Sequence, residues 1–173
     1  MVMWRRVKVL AERIIKNAFR ESELGKILYI ILPFKFYALS FWVPPLIGII
    51  VVSTKARRLS DKALTGLIAH ELCHQERYRK MGVLRYYCFV LKYTFSQKAR
   101  IEEEHEVDRM TVRKRFAAEL HELTLITHAS KSHKKIISNY LTPDEIVQYA
   151  QKEGLWNSNG NETAGSKNQD SFK

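Results

Sequence analysis

The chain has 173 residues, 46% of them hydrophobic, and a formal net charge of +11. That apolar content supports a buried core and excludes a disordered chain, and the length suits one domain with a tail. Only two cysteines occur, Cys73 and Cys88, which excludes a disulfide framework, points to a reducing, cytoplasmic setting and casts both as small buried hydrophobes.

From Trp4 to Arg20 the apolar residues Trp4, Val7, Leu10, Ile14 and Phe19 recur at helical spacing among arginines and lysines, an amphipathic basic helix within a first segment 1–24. It lacks the continuous apolar stretch of a signal peptide, so secretion is not expected. Ile27 to Val52 is apolar with one charge, Lys35, and is cut by Pro33, Pro44 and Pro45 into three strand-length pieces. The β-branched run Ile47, Ile49, Ile50, Val51, Val52 favours a small antiparallel sheet; a re-entrant or interfacial membrane hairpin is the alternative. Ser60 and Asp61 read as a helix cap and first-turn carboxylate opening a helix that ends near Gly82. Val83 to Phe95 is aromatic and apolar and reads as a short core helix, with a membrane-facing element as the alternative. Gln97 to His128 reads as one long helix, and Ser130 to Ser138 as a basic connector. Thr142-Pro143-Asp144-Glu145 opens a last helix that stops at Gly154, and the polar residues 157–173 read as a disordered tail.

The chemistry lies in two places. His70-Glu71-Leu72-Cys73-His74 falls inside the helix begun at Ser60, so its histidines, four residues apart, project from one face and can bind a metal. A catalytic zinc takes three protein ligands and leaves a fourth position to water, so a further ligand must come from elsewhere. The long helix offers Glu102, Glu103, Glu104, Glu106 and Asp108. Glu104 and Asp108 share a face; with Glu104 on the metal, Asp108 stands one turn along, able to take the free N–H of a ligating imidazole. Glu103 remains an alternative ligand, because helix phase is known only to about one residue.

HELCH, 29 intervening residues and then EHEVD resembles the gluzincin metallopeptidases. More narrowly it is similar to the branch of prenyl proteases, heat-shock membrane proteases and minigluzincins, where a strand, a turn and a capped HExxH helix precede a helix bearing Glu-x-Glu-Ala-Asp. Val107 stands where that branch usually has alanine. The resemblance implies a metallopeptidase domain over 25–156, one Zn²⁺ per chain held by His70, His74 and Glu104, Glu71 as general base, and Asp108 behind a ligand. A metzincin would need Gly at Arg77 and His at Lys80.

The expected architecture is therefore α+β, a small antiparallel sheet on a mainly helical domain whose HExxH helix crosses a long second helix. The expected function is a zinc metalloendopeptidase in which Glu71 takes the proton of a water attacking a peptide carbonyl and returns it to the leaving amine. One further donor would hold the oxyanion; His105, His121, His128, Tyr86 and Tyr87 are the candidates. The strand from Leu46 to Ser53 would receive an extended peptide or protein substrate by strand addition. The competing reading is a non-catalytic basic protein with a structural metal or none. It would contact a membrane surface through Trp4–Arg20 and Ile27–Val52, or bind nucleic acid, drawn by the charge.

Overall fold

The computed structural model describes residues 3–129 and 139–156. In chain order they form α1 (Met3–Ala18), a short α2 (Glu21–Leu24), β1 (Ile27–Leu32), β2 (Ala38–Val43), β3 (Ile47–Ser53) and a 3-10 turn (Thr54–Arg58). Then come α3 (Asp61–Met81), α4 (Val83–Phe95), α5 (Gln97–Arg113), α6 (Ala117–Ala129) and α7 (Pro143–Lys152). The α+β class holds, with one small sheet on a mainly helical body. The connector 130–138 and the tail 157–173 lie outside the described residues.

Helix α3 is the axis. Ser60 caps it by accepting the Ala63 N–H at 3.0 Å, and Gly82 ends it at φ 75°, a backbone angle that side chains resist. Between these stops every residue from Ala63 to Glu76 is buried, because β2, α1, α5 and α6 each pack against it. Helix α6 comes closest: a Cβ built on Gly66 would lie 2.5 Å from the Glu119 carbonyl oxygen, so the two backbones meet where only glycine fits. Helix α1 turns Met3, Val7, Leu10, Ala11 and Ile14 into this same core. Arg6 then ties α1 to the start of α3, donating to Asp61 at 2.7 Å and to the Leu59 carbonyl at 2.8 Å.

Four expectations need correction. The sheet is mixed: its order is β1-β3-β2, with β1 parallel and β2 antiparallel to β3. The connection 33–37 steps across the end of β3, where Tyr37 and Phe34 carbonyls accept from Ser53 N–H and hydroxyl at 2.8 Å and 3.0 Å. Because β3 is therefore central with both edges paired, Leu46–Ser53 cannot receive a further strand, and the free edges belong to β1 and β2.

The helix expected from Gln97 to His128 is two helices. Arg115 takes φ 69°, the Phe116 N–H reaches the Thr111 carbonyl at 3.2 Å and the Arg115 N–H the Val112 carbonyl at 2.8 Å. That is a Schellman stop, formed with arginine where glycine is usual. Helix α4, read as a core helix, buries only Tyr86 of its thirteen residues. Among the described residues no helix is long and apolar enough to cross a membrane.

Candidate metal centre

The centre is built where α5 crosses the middle of α3. Ser96 starts α5 by accepting the Ala99 N–H at 3.2 Å, and from that start Glu104 and Asp108, one turn apart, face His70 and His74. All four side chains are buried.

The donor atoms converge. Glu104 Oε2 lies 3.2 Å from His70 Nε2 and 3.3 Å from His74 Nε2, and the three groups offer ligand atoms within 4.8 Å of one another. A tetrahedral ion with bonds of about 2.0–2.1 Å holds its ligands about 3.3 Å apart, so the spacing suits zinc. Two imidazoles and a carboxylate are also a donor set that zinc accepts, with a fourth position left over. Glu104, and not Glu103, is the carboxylate aimed at both rings. Glu103 instead takes a fork from Arg77, Nε to Oε1 at 3.0 Å and a terminal nitrogen to Oε2 at 2.8 Å.

Each imidazole has a carboxylate behind it. His70 Nδ1–H donates to Asp108 Oδ1 at 2.9 Å, which fixes the tautomer and leaves Nε2 toward Glu104. Behind His74, Glu103 Oε1 stands 3.6 Å from Nδ1, an ionic contact too long for a hydrogen bond. Burial pulls the pKa of both rings down, but the carboxylates outweigh it: His70 is held well above the ordinary imidazole value and His74 is raised to about 9. Burial pushes the Glu104 pKa up, and the two histidines more than reverse this, leaving it well below the usual carboxylate range. The metal-free site is thus a buried cationic–anionic cluster in which protons occupy what a metal would take.

Glu71 is buried next to this cluster. Burial raises its pKa against the opposing pull of His74 and His70, and its carboxylate has no hydrogen-bond partner among the described residues. Cys73 faces away, receives the Thr111 hydroxyl at 3.5 Å on its sulfur, and has its pKa pushed up by burial to about 12, which leaves it an inert thiol.

Tyrosines close the site, and not the ones expected. Tyr93, from α4, donates to Glu104 Oε1 at 2.5 Å. Tyr140 places its ring 5.7 Å from that of His70, and Tyr78 lies 5.4 Å from that of His74. Tyr140 is anchored through its chain neighbours: Asp108 Oδ2 accepts the Leu141 N–H at 2.9 Å, and Thr142 and Glu145 cap α7 reciprocally. Of the donors expected from the sequence, Tyr86 accepts the Trp42 backbone N–H, His128 bonds the Thr124 carbonyl, His121 meets the Trp156 ring edge-on and Tyr87 is exposed. A lone tyrosine carries no spacing signature, so Tyr93 and Tyr140 become visible only when α4 and the start of α7 are in place.

Compared with protein-family models, with curated proteins and with solved structures, the chain matches none.

Proposed function

We propose that this chain is a zinc-dependent endopeptidase of the gluzincin kind, with His70, His74 and Glu104 as ligands and Glu71 as general base. The observation that supports it is the meeting of both Nε2 atoms on one Glu104 oxygen at tetrahedral spacing, beside the buried Glu71. A zinc ion held there would polarise a water and bring its pKa down toward about 7. Glu71 would take the proton of the attacking water and deliver it to the leaving amine. Asp108 keeps the His70 ring in one tautomer and orientation. The Tyr140 phenol, whose ring stands 5.7 Å from that of His70, would donate to charge developing on the carbonyl oxygen. An extended substrate would lie along β2, the free-edged strand that touches α3 where Ser40 bonds the Glu71 carbonyl at 3.3 Å.

A second reading, a structural metal, is favoured by the depth of burial: His70, His74, Glu71 and Glu104 each keep 6% exposure or less. Glu71→Gln separates the two. A peptidase variant binds one zinc per chain, measured by elemental analysis, and loses cleavage of an unfolded protein substrate by at least about a hundredfold. If wild-type protein loaded with zinc cleaves nothing that Glu71→Gln does not also cleave, the enzyme reading fails and the structural one stands.

A further inference from the structure

We propose that the outer face of the sheet and the outer stripe of α4 form one kind of surface, which docks on a bilayer containing anionic phospholipid. This does not depend on the metal-site reading.

The strand pairings put Leu28, Ile30 and Leu32 of β1, Ile47, Ile49 and Val51 of β3, and Leu39, Phe41 and Val43 of β2 on the sheet face opposite the buried Ile50 and Val52. All nine are apolar, and none is buried. A sheet with one face on a core ordinarily alternates to polar residues on the other. Here the alternation is missing on every strand.

Helix α4 repeats the anomaly. Its inner side packs Tyr86 against Trp42 and Tyr78 and holds Tyr93 on Glu104. Its outer side should therefore be polar, yet Leu84, Leu91 and Phe95 lie there 79%, 63% and 84% exposed, with Tyr87 beside them. Arg85 and Lys92, seven residues apart, flank that stripe, where long cationic side chains can reach headgroups while their stems lie on apolar surface.

Charge identifies the occupant. Residues 26–60 carry five Lys or Arg and residues 77–101 carry seven, and neither stretch contains a single Asp or Glu. All 18 carboxylates fall elsewhere in the chain. Lys35, Arg85 and Lys92 have no ion-pair partner among the described residues. A second copy would bring these cations against themselves, and a protein partner would ordinarily meet some hydrogen-bonding groups, which the sheet face lacks. Although Arg77, Lys80 and Lys98 pair with carboxylates, apolar side chains flanked by unpaired cations such as Arg85 and Lys92 are the pattern of a helix or face lying in the interface of an anionic membrane. Because the inner side of α4 touches Glu104, such docking holds the metal centre within about one helix diameter, roughly 10 Å, of the lipid.

The test uses the full chain sedimented with vesicles of phosphatidylcholine alone or mixed with phosphatidylglycerol. Wild-type protein should pellet with the mixed vesicles, less so with the neutral ones and less at high salt. Leu84→Glu with Leu91→Glu, and separately Phe41→Asp, should weaken the partition at least about tenfold. Val9→Glu with Leu125→Glu, the same charge change on exposed apolar residues of α1 and α6, should leave it near the wild-type value. Thermal melting of each variant confirms that it is folded. The proposal is overturned if wild-type protein ignores the mixed vesicles at low salt, if the α4 pair and the control pair behave alike, or if wild-type protein is a stable dimer that the α4 pair splits.

Discussion

Glu104 is the side chain on which the centre depends, since one of its oxygens serves both histidines and the other takes the Tyr93 hydroxyl at 2.5 Å. Removing it leaves two buried imidazoles with Asp108 and Glu103 behind them but nothing between them. With zinc bound as proposed, Glu104→Ala should therefore lose the ion in dialysis and subsequent elemental analysis, whereas Glu103→Ala should retain it. Asp108→Asn keeps the shape but no longer favours the same His70 tautomer, and zinc affinity measured by competition with a chelator should fall about 10- to 100-fold. Tyr93→Phe removes only a hydroxyl and should weaken zinc less than Asp108→Asn does.

Helix ends and helix crossings position these groups. Arg115 sits at φ 69°, a conformation that costs a residue with a Cβ about 1–2 kcal/mol. Arg115→Gly should therefore raise stability by about 0.5–1 kcal/mol in urea titration, with zinc content unchanged. Gly66→Ala works in the opposite direction, because its new methyl would meet the Glu119 carbonyl at 2.5 Å. Backbone there cannot yield as a flexible side chain would, so a loss of about 1–3 kcal/mol is expected, with α6 forced off α3 just one turn before His70.

For the molecule entire, the cluster links stability to pH. The folded pKa of His74, about 9, lies above its ordinary 6.5, so the stabilisation it brings is complete below 6.5 and disappears as pH rises through about 9. Glu104, depressed from 4.5, contributes above that value and ceases to as acid protonates it. Metal-free protein should thus melt at falling temperature from pH 6.5 to 9. Zinc bound at the proposed site would expel the same protons, so the rise in melting temperature on adding it should be larger at pH 9 than at pH 6, read by differential scanning fluorimetry. An increment that is equal at both values would mean that zinc does not bind at these histidines.

The HELCH spacing, the caps at Ser60 and Thr142 and the pairing of Glu104 with Asp108 were legible along the chain, because i,i+4 geometry and capping are local rules that hold wherever a helix forms. Strand existence was legible too, from proline cuts and β-branched runs. Strand order was not: a five-residue connection can turn back beside its neighbour or step over it, and the second arrangement is the one in which Ile50 and Val52 of the central strand join the buried core. The stop at Arg115 carried no glycine to announce it. Whether the apolar residues of α4 face a core or the outside depends on what lies across from them, and sequence periodicity cannot report a partner that is absent from the chain.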